Sequence, residues 1–313
     1  MKNLHVRNVT LSTESQVRIT FIINESNTDT LERLRNSIQA RRQAGDEVRA
    51  RLTFEGGDAI WMAREACEQS CDLLIAAGGD GTINEVVNGI DQWMRASGAG
   101  REPPRLGIIP LGTANDLAGA LEIPEEVEEA VEVAVGGGER LMDVARVEGR
   151  CFLNVSTGGF GAEATEEAST EAKRVLGPLA YLVTGVRKFV ALEPLTARVS
   201  TAEGTIAEGR FLLFAVGNGR RTGGGNVLTP VADPSDGLLD LCLVREMSRV
   251  EFLRLLPQLR AGEHLGHPAV VYLQLPAFTL ESDEELSVNA DGEPISGRKF
   301  SYGVAEWKLA VKC

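Results

Sequence analysis

A run of five apolar residues, Leu73 to Ala77, leads straight into three glycines within four positions, Gly78, Gly79 and Gly81. An apolar run this short, closed by glycines, reads as a strand of a parallel sheet buried on both faces. From Thr82 the apolar residues Ile83, Val86, Val87 and Ile90 recur at helical spacing. The unit Asp72–Asn88 is therefore strand, glycine turn, helix. Such a turn presents backbone N–H groups, and the helix start adds partial positive charge, so the unit suits phosphate. Asp80 stands inside the turn, where phosphates would repel it. Its presence makes sense if a divalent cation lies between them or if it orients a reacting hydroxyl. A P-loop is excluded because no Gly-Lys-Ser/Thr closes the turn. The dinucleotide fingerprint is excluded because Asn84 stands where the third glycine belongs.

A second unit has the same form. Leu106–Ile109 is a short apolar strand, followed by Pro110-Leu111-Gly112-Thr113-Ala114-Asn115-Asp116-Leu117-Ala118, with Asn115 and Asp116 near a helix N-cap. Thr113 offers a hydroxyl to a phosphate. Ligands of open α/β sheets sit at the carboxyl ends of the strands, so the two Gly-Thr turns are expected to face one crevice. Upstream, strands are expected at Val17–Ile23 and Val48–Phe54, with helices through Leu31–Ile38 and from Asp58, taken as an N-cap, to Cys67. The alternation predicts an α/β domain with a largely parallel sheet over residues 1–140.

Past a Glu-rich helix (Glu125–Val135) and Gly136-Gly137-Gly138, short strands take over. They are Leu141–Val147, Cys151–Ser156, Ala197–Thr201, Phe211–Val216, Leu238–Val244, Val270–Leu275 and Thr279–Leu280. Their spacing predicts a mainly β, sandwich-like domain over 141–302, with helical inserts at about 163–192 and 249–261. The last strand, Ala305–Val311, is expected to return to the first domain within 303–313. In this half, Pro230 to Asp240 places carboxylates and carbonyls on a tight turn, a set of hard oxygens suited to Mg²⁺ or Ca²⁺. Asn289-Ala290-Asp291-Gly292-Glu293-Pro294 carries two carboxylates around a glycine, and one of them could serve as general base toward an alcohol.

Net charge of −13 argues against nucleic acid as a partner. The deficit is concentrated in residues 1–145, with 14 basic against 24 acidic side chains, while the remainder has 18 against 21. Basic clusters such as Arg220-Arg221 in the second half suit an anionic bilayer. No apolar run approaches the roughly 20 residues of a membrane span. Five scattered cysteines point to a reducing compartment. His264 and His267 have no further ligand nearby and are read as structural.

Gly78-Gly79-Asp80-Gly81-Thr82 with Asn84-Glu85, Pro-Leu-Gly-Thr-Ala-Asn-Asp-x-Ala at 110–118 and Asp291-Gly292-Glu293 together resemble the diacylglycerol kinase catalytic-domain family, most closely its bacterial lipid kinases of the YegS type. Gly-Gly-Asp-Gly alone is shared with NAD kinases and phosphofructokinases; the second motif is not. The resemblance implies a cleft between the two domains and transfer of the γ-phosphate of ATP to a lipid hydroxyl, with phosphatidylglycerol as one acceptor. It implies ATP contacts at Thr53, Gly79, Asp80, Gly81, Thr82, Ile83, Asn84, Glu85 and Thr113. It implies Mg²⁺ on the Asp236 carboxylate with the carbonyls of Asp233 and Leu238, and Glu293 as proton acceptor. Asp80 is the second candidate catalytic residue, in the shell of a catalytic Mg²⁺. A cytoplasmic enzyme acting peripherally at the inner membrane face is expected, with its oligomeric state open. The Asn24-Glu25-Ser26-Asn27 turn departs from the Asn-Pro-x-Ser/Ala-Gly of many relatives. The alternatives are a soluble-metabolite kinase of the NAD kinase type and a non-catalytic nucleotide or lipid sensor.

Overall fold

The computed structural model describes residues 16–98, 100–159, 193–222 and 225–313. The helical insert expected at 163–192 lies outside the described residues. Strands β1 (Arg18–Ile23), β2 (Glu47–Leu52), β3 (Leu73–Gly78) and β4 (Arg105–Pro110) are parallel and lie in the order β2-β1-β3-β4. Helices α1 (Thr28–Gln43), α2 (Asp58–Glu68), α3 (Asp80–Ser97) and α5 (Val127–Gly136) flank them, with a short α4 (Asp116–Ala120) after β4. All six residues of β3 are buried, as an apolar run covered on both faces requires. The strand order reverses between β1 and β3, so the crevice at their carboxyl ends is the topological switch point, and the first glycine turn opens there. Close packing sets the helix positions: a Cβ on Gly89 of α3 would lie 2.2 Å from the Ile60 carbonyl of α2.

The second half is antiparallel. It comprises β5 (Glu139–Val147), β6 (Arg150–Phe152), β7 (Val155–Gly159), β8 (Leu195–Thr201), β9 (Gly204–Gly217), β10 (Leu239–Arg245), β11 (Val270–Leu275), β12 (Ala277–Ala290) and β13 (Glu293–Lys312). Helix α6 (Arg249–Ala261) is opened by a Ser248–Glu251 capping box and seats Phe252, Leu255 and Leu259 with Leu212, Cys242 and Val244. β13 joins the halves. It leaves the hairpin with β12, runs beside β5, and meets β4 in parallel at Val311 and Leu106. Glu293, the catalytic candidate of the β half, is thereby the first residue of the strand that completes the α/β sheet.

Several elements depart from the sequence pattern. The strand expected at Cys151–Ser156 splits into β6 and β7, because the backbone at Leu153 and Asn154 turns to donate hydrogen bonds to Asp291. The short strand expected at Thr279–Leu280 is a 14-residue strand; the acidic stretch through Glu285 hid it, although ladder pairing continues past a register shift. Helix α3 begins at Asp80 rather than Thr82. Asp58 is not the N-cap of α2. Gly57 holds that position with φ 89°, and the Asp58 carboxylate turns back to accept the N–H groups of Phe54 and Glu55. His264 is fully buried with Nε2 3.1 Å from the Leu228 carbonyl, a structural role as read. All five cysteines are free, and burial pushes the Cys67, Cys151 and Cys242 thiols up to about 12, which leaves them inert.

Candidate active site

The two glycine turns are in contact. Gly79 and Gly112 pack backbone to backbone, so that a Cβ on Gly112 would lie 2.6 Å from the Gly79 Cα and 2.8 Å from Asn115 Oδ1. Asn115 secures the second turn by exchanging hydrogen bonds with Gly112, donating to its carbonyl at 3.0 Å and accepting its N–H at 2.9 Å. Asn115 holds the N-cap position of α4, as the sequence pattern places it, in the left-handed region at φ 49°, but its side chain makes no cap hydrogen bond. The cap comes from Asp80, whose carboxylate accepts the N–H groups of Asp116 and Leu117 at 3.2 and 3.3 Å. Asp80 thus ties the first turn to the second. Thr113 is exposed on this turn, and Thr82 is buried beneath the first with its hydroxyl accepting Asn24 Nδ2 at 3.1 Å. The divergent 24–27 turn therefore reaches the glycine turn through Asn24. Thr53 closes the adjoining edge by donating its N–H to Ile23 O at 2.9 Å.

A Gly112→Ala variant is expected to push the two turns apart, because both clashing atoms belong to a close-packed loop. Stability should fall by about 2 kcal/mol, and ATP affinity, read by calorimetry, should fall with it.

The remaining candidates lie along α3. Ile83 is 1% exposed and belongs to the core, so only its backbone is available to a ligand. The Glu85 carboxylate holds the Gly57 and Ala59 N–H groups at 2.9 and 3.2 Å and so caps α2 from the neighbouring helix. Asn84 donates to the Cys151 carbonyl at 3.0 Å and approaches Asp291 Oδ2 at 3.5 Å. Asn88 accepts the Cys151 N–H at 2.9 Å and donates to Asn84 Oδ1 at 2.8 Å.

Asp291 is the knot of the site. It occupies the β12–β13 turn at φ 49°, and its carboxylate accepts the N–H groups of Leu153, Asn154 and Val155 at 2.5, 3.1 and 3.1 Å. The turn backbone is partly exposed, but the carboxyl group is enclosed, and its burial pushes it up to about 6 against the pull of those donors; the charge of Asp80 adds to the rise. The knot fixes the start of β13, where Glu293 is exposed and lines a cavity of about 440 Å³ together with Gly57, Asn84, Glu85, Arg95 and Arg150. Asp80 and Asn84 lie in the first two turns of α3, Asp291 reaches Asn84, and Glu293 shares its cavity with α3 residues from Asn84 to Arg95.

Sequence reasoning missed Asn88, Asp91 and Arg146. Asp91 is 2% exposed, pairs with Arg146 and with Arg95 at 2.6 Å, and accepts Trp307 Nε1 at 3.1 Å. A signal was present: Asn84, Asn88, Asp91 and Arg95 recur at helical spacing and form a polar stripe on α3 beside its apolar face.

Comparison with known proteins identifies the family. The diacylglycerol kinase catalytic domain matches residues 18–147, and the YegS C-terminal NAD kinase beta sandwich-like domain matches 154–305. The chain belongs to the diacylglycerol kinase catalytic-domain family. A protein of Chromohalobacter salexigens named "Probable lipid kinase YegS-like" is 39% identical over 93% of this chain and 92% of its own. One of Escherichia coli O127:H6, named "Probable lipid kinase YegS", is 37% identical over 93% and 94%. A solved structure of a diacylglycerol kinase from Bacillus anthracis is 21% identical with TM-score 0.69, covering 94% and 96%; yeast NADH kinase, at 12% identity and TM-score 0.52, covers 95% and 84%. Those two likenesses concern the fold alone. The family assignment makes this diacylglycerol kinase family member a kinase.

The loop at 233–238 carries the residues expected to hold a metal. The Asp236 carboxylate has one oxygen engaged by the Leu238 N–H at 2.9 Å, and the Asp233 carboxylate is taken by the N–H and hydroxyl of Ser235. The loop is held to the sheet by Asp143, which accepts the Gly237 N–H at 2.7 Å and pairs with Lys308 at 2.9 Å. One free carboxylate oxygen beside carbonyls fits a hard cation that retains several waters. Among the described residues no group of three or more His, Cys, Asp or Glu side chains converges as a metal site.

Proposed function

We propose that this kinase transfers the γ-phosphate of ATP to a lipid hydroxyl, with phosphatidylglycerol as the acceptor. The observation that carries the reading is the convergence of the paired glycine turns and the Asp291–Glu293 turn on one end of α3. The phosphates of ATP lie over the two turns, whose backbone N–H groups and Thr82 and Thr113 surround them. Glu293 takes the proton of the acceptor hydroxyl as its oxygen bonds to the γ-phosphorus and the bond to the bridging oxygen breaks, releasing ADP. A Mg²⁺ bound with ATP would supply neutralisation of phosphate charge, with Asp80 as the residue to hold it or its waters, and the Asp236 carboxylate with the carbonyls of Asp233 and Leu238 would hold a second Mg²⁺ or Ca²⁺. Positioning supplies most of the rate.

Peripheral attachment to the cytoplasmic membrane face is part of this reading. Among the described residues no helix is long and apolar enough to cross a membrane. Phe54, 92% exposed, stands two residues before the cavity-lining Gly56, with Leu52 and Trp61 exposed nearby. Such side chains insert at a bilayer interface. Phe54→Ser combined with Trp61→Ser is expected to lower flotation with phosphatidylglycerol vesicles several-fold while leaving transfer to a short-chain, water-soluble lipid unchanged.

The test of the reading is separation of labelled products from γ-labelled ATP offered with phosphatidylglycerol, diacylglycerol, sphingosine and ceramide in mixed micelles. Labelled phosphatidylglycerol phosphate upholds it. Label on another of the lipids revises the acceptor, and label on a soluble nucleotide alone, with NAD⁺ supplied, overturns it in favour of a soluble-metabolite kinase.

A further inference from the structure

A second cavity, of about 630 Å³, lies on the far side of α4 from the glycine turns. Its walls carry three arginines, Arg140, Arg220 and Arg221, above an apolar floor that includes Leu117 and Met142. Arg220 is engaged through Nε with the Ala232 carbonyl at 2.8 Å. Among the described residues Arg140 and Arg221 make no hydrogen bond or ion pair, unlike Arg33, Arg51, Arg95, Arg105 and Arg146, which are all paired with carboxylates. Two acids also line the cavity: Asp233, which accepts the N–H and hydroxyl of Ser235 through one oxygen and faces Arg220, and Glu122, so three arginines stand against two carboxylates. Asn154 also lines the cavity, is 8% exposed, and has no hydrogen-bond partner for its side-chain amide among the described residues. Two exposed guanidinium groups and an amide that faces the cavity are thus left available over an apolar floor, a donor set that a phosphate with an apolar portion would complete.

We propose that this cavity binds a phosphate ester with an apolar portion, the phosphate on Arg140 and Arg221 with Asn154 donating, and the apolar part on Leu117 and Met142. Guanidinium forks match phosphate oxygens in pairs. No residue of either glycine turn lines this site, and it shares no lining residue with the cavity beside Glu293. It is nonetheless joined to the active site through its walls. The Leu117 N–H is held by Asp80, and the Leu153 and Asn154 N–H groups are held by Asp291. A ligand seated here lies against the two segments that the site carboxylates grip. Two sources share the chemistry: the head group of an anionic lipid and a free phosphate ester.

The test is calorimetry on the full chain with dihexanoyl phosphatidic acid, glycerol 3-phosphate and inorganic phosphate, each with and without saturating ATP. Binding is read without turnover, so the result stands apart from the acceptor assigned above. The lipid is expected to bind equally well with ATP present. The Arg140→Ala/Arg221→Ala variant, altered only at exposed side chains, is expected to lose tenfold or more in lipid affinity with unchanged ATP affinity and melting temperature. Glycerol 3-phosphate binding as tightly as the lipid upholds the phosphate site and makes its source soluble. No binding of any probe, displacement by ATP, or full affinity in the double variant overturns the proposal.

Discussion

Replacing Glu293 with glutamine is expected to lower turnover by three orders of magnitude or more while leaving ATP affinity within about twofold. The substitution keeps size and hydrogen-bonding reach but removes the proton acceptor, and general-base catalysis is worth roughly 10²–10⁴ in rate. Among the described residues the exposed Glu293 side chain makes no hydrogen bond or ion pair, unlike Glu85 and Asp291, so the fold does not depend on its charge. Melting temperature should therefore stay within a degree or two of wild type. Turnover near wild type in Glu293→Gln would remove this residue from the chemistry.

The second large effect is expected at Asp291. In Asp291→Asn one carboxylate oxygen becomes an NH₂ group directed at backbone N–H donors from Leu153, Asn154 and Val155. Hydrogen bonds from neutral donors to a charged acceptor are each worth about 1.5–3 kcal/mol, so destabilisation of about 3 kcal/mol or more is expected. Turnover should collapse along with it, because the turn that aims Glu293 loses its anchor. The two roles separate by kinetics: if Asp291 positions Glu293, the fall is in kcat with KM for ATP little changed.

The pH dependence follows from the raised value of Asp291. An unfolded aspartate ionises near pH 4, whereas burial holds this one up to about 6 in the folded chain. Between those values the folded protein carries a proton that the unfolded chain has released. The stability contributed by this group therefore falls as pH rises from about 4 to 6 and is constant above. The Asn variant lacks that component, so the difference in melting temperature between wild type and Asp291→Asn should shrink as pH rises through this window. A difference that does not vary with pH would mean that Asp291 titrates normally.

The parts of the site legible in the sequence are those whose physics is local. A glycine turn leaves its mark because only glycine lets two loops approach as Gly79 and Gly112 do, and an exposed Asp-Gly-Glu turn is visible as such. The parallel sheet was legible because strands buried on both faces are apolar throughout, whereas the return of the last strand rested on the resemblance to the family. Capping was misread for the opposite reason. Asp58 and Asn115 are well placed locally, yet Glu85 and Asp80 of α3 cap α2 and α4 instead, and such partners are set by packing rather than by spacing. The Asp291 clamp was out of reach because its partners lie 136–138 residues away in the chain. The divided strand at 150–159 is a consequence of that clamp and was hidden with it.

The central claim is that the paired glycine turns and the Asp291–Glu293 turn form one phosphoryl-transfer site. Its most direct test is the time course of label moving from γ-labelled ATP to phosphatidylglycerol, with Mg²⁺, in wild type and in Glu293→Gln measured side by side. A Mg²⁺-dependent labelled lipid formed by wild type and absent from the variant, with equal ATP binding in both, is the predicted result. Equal lipid labelling by the two proteins, or ATP binding with no transfer by either, would contradict it.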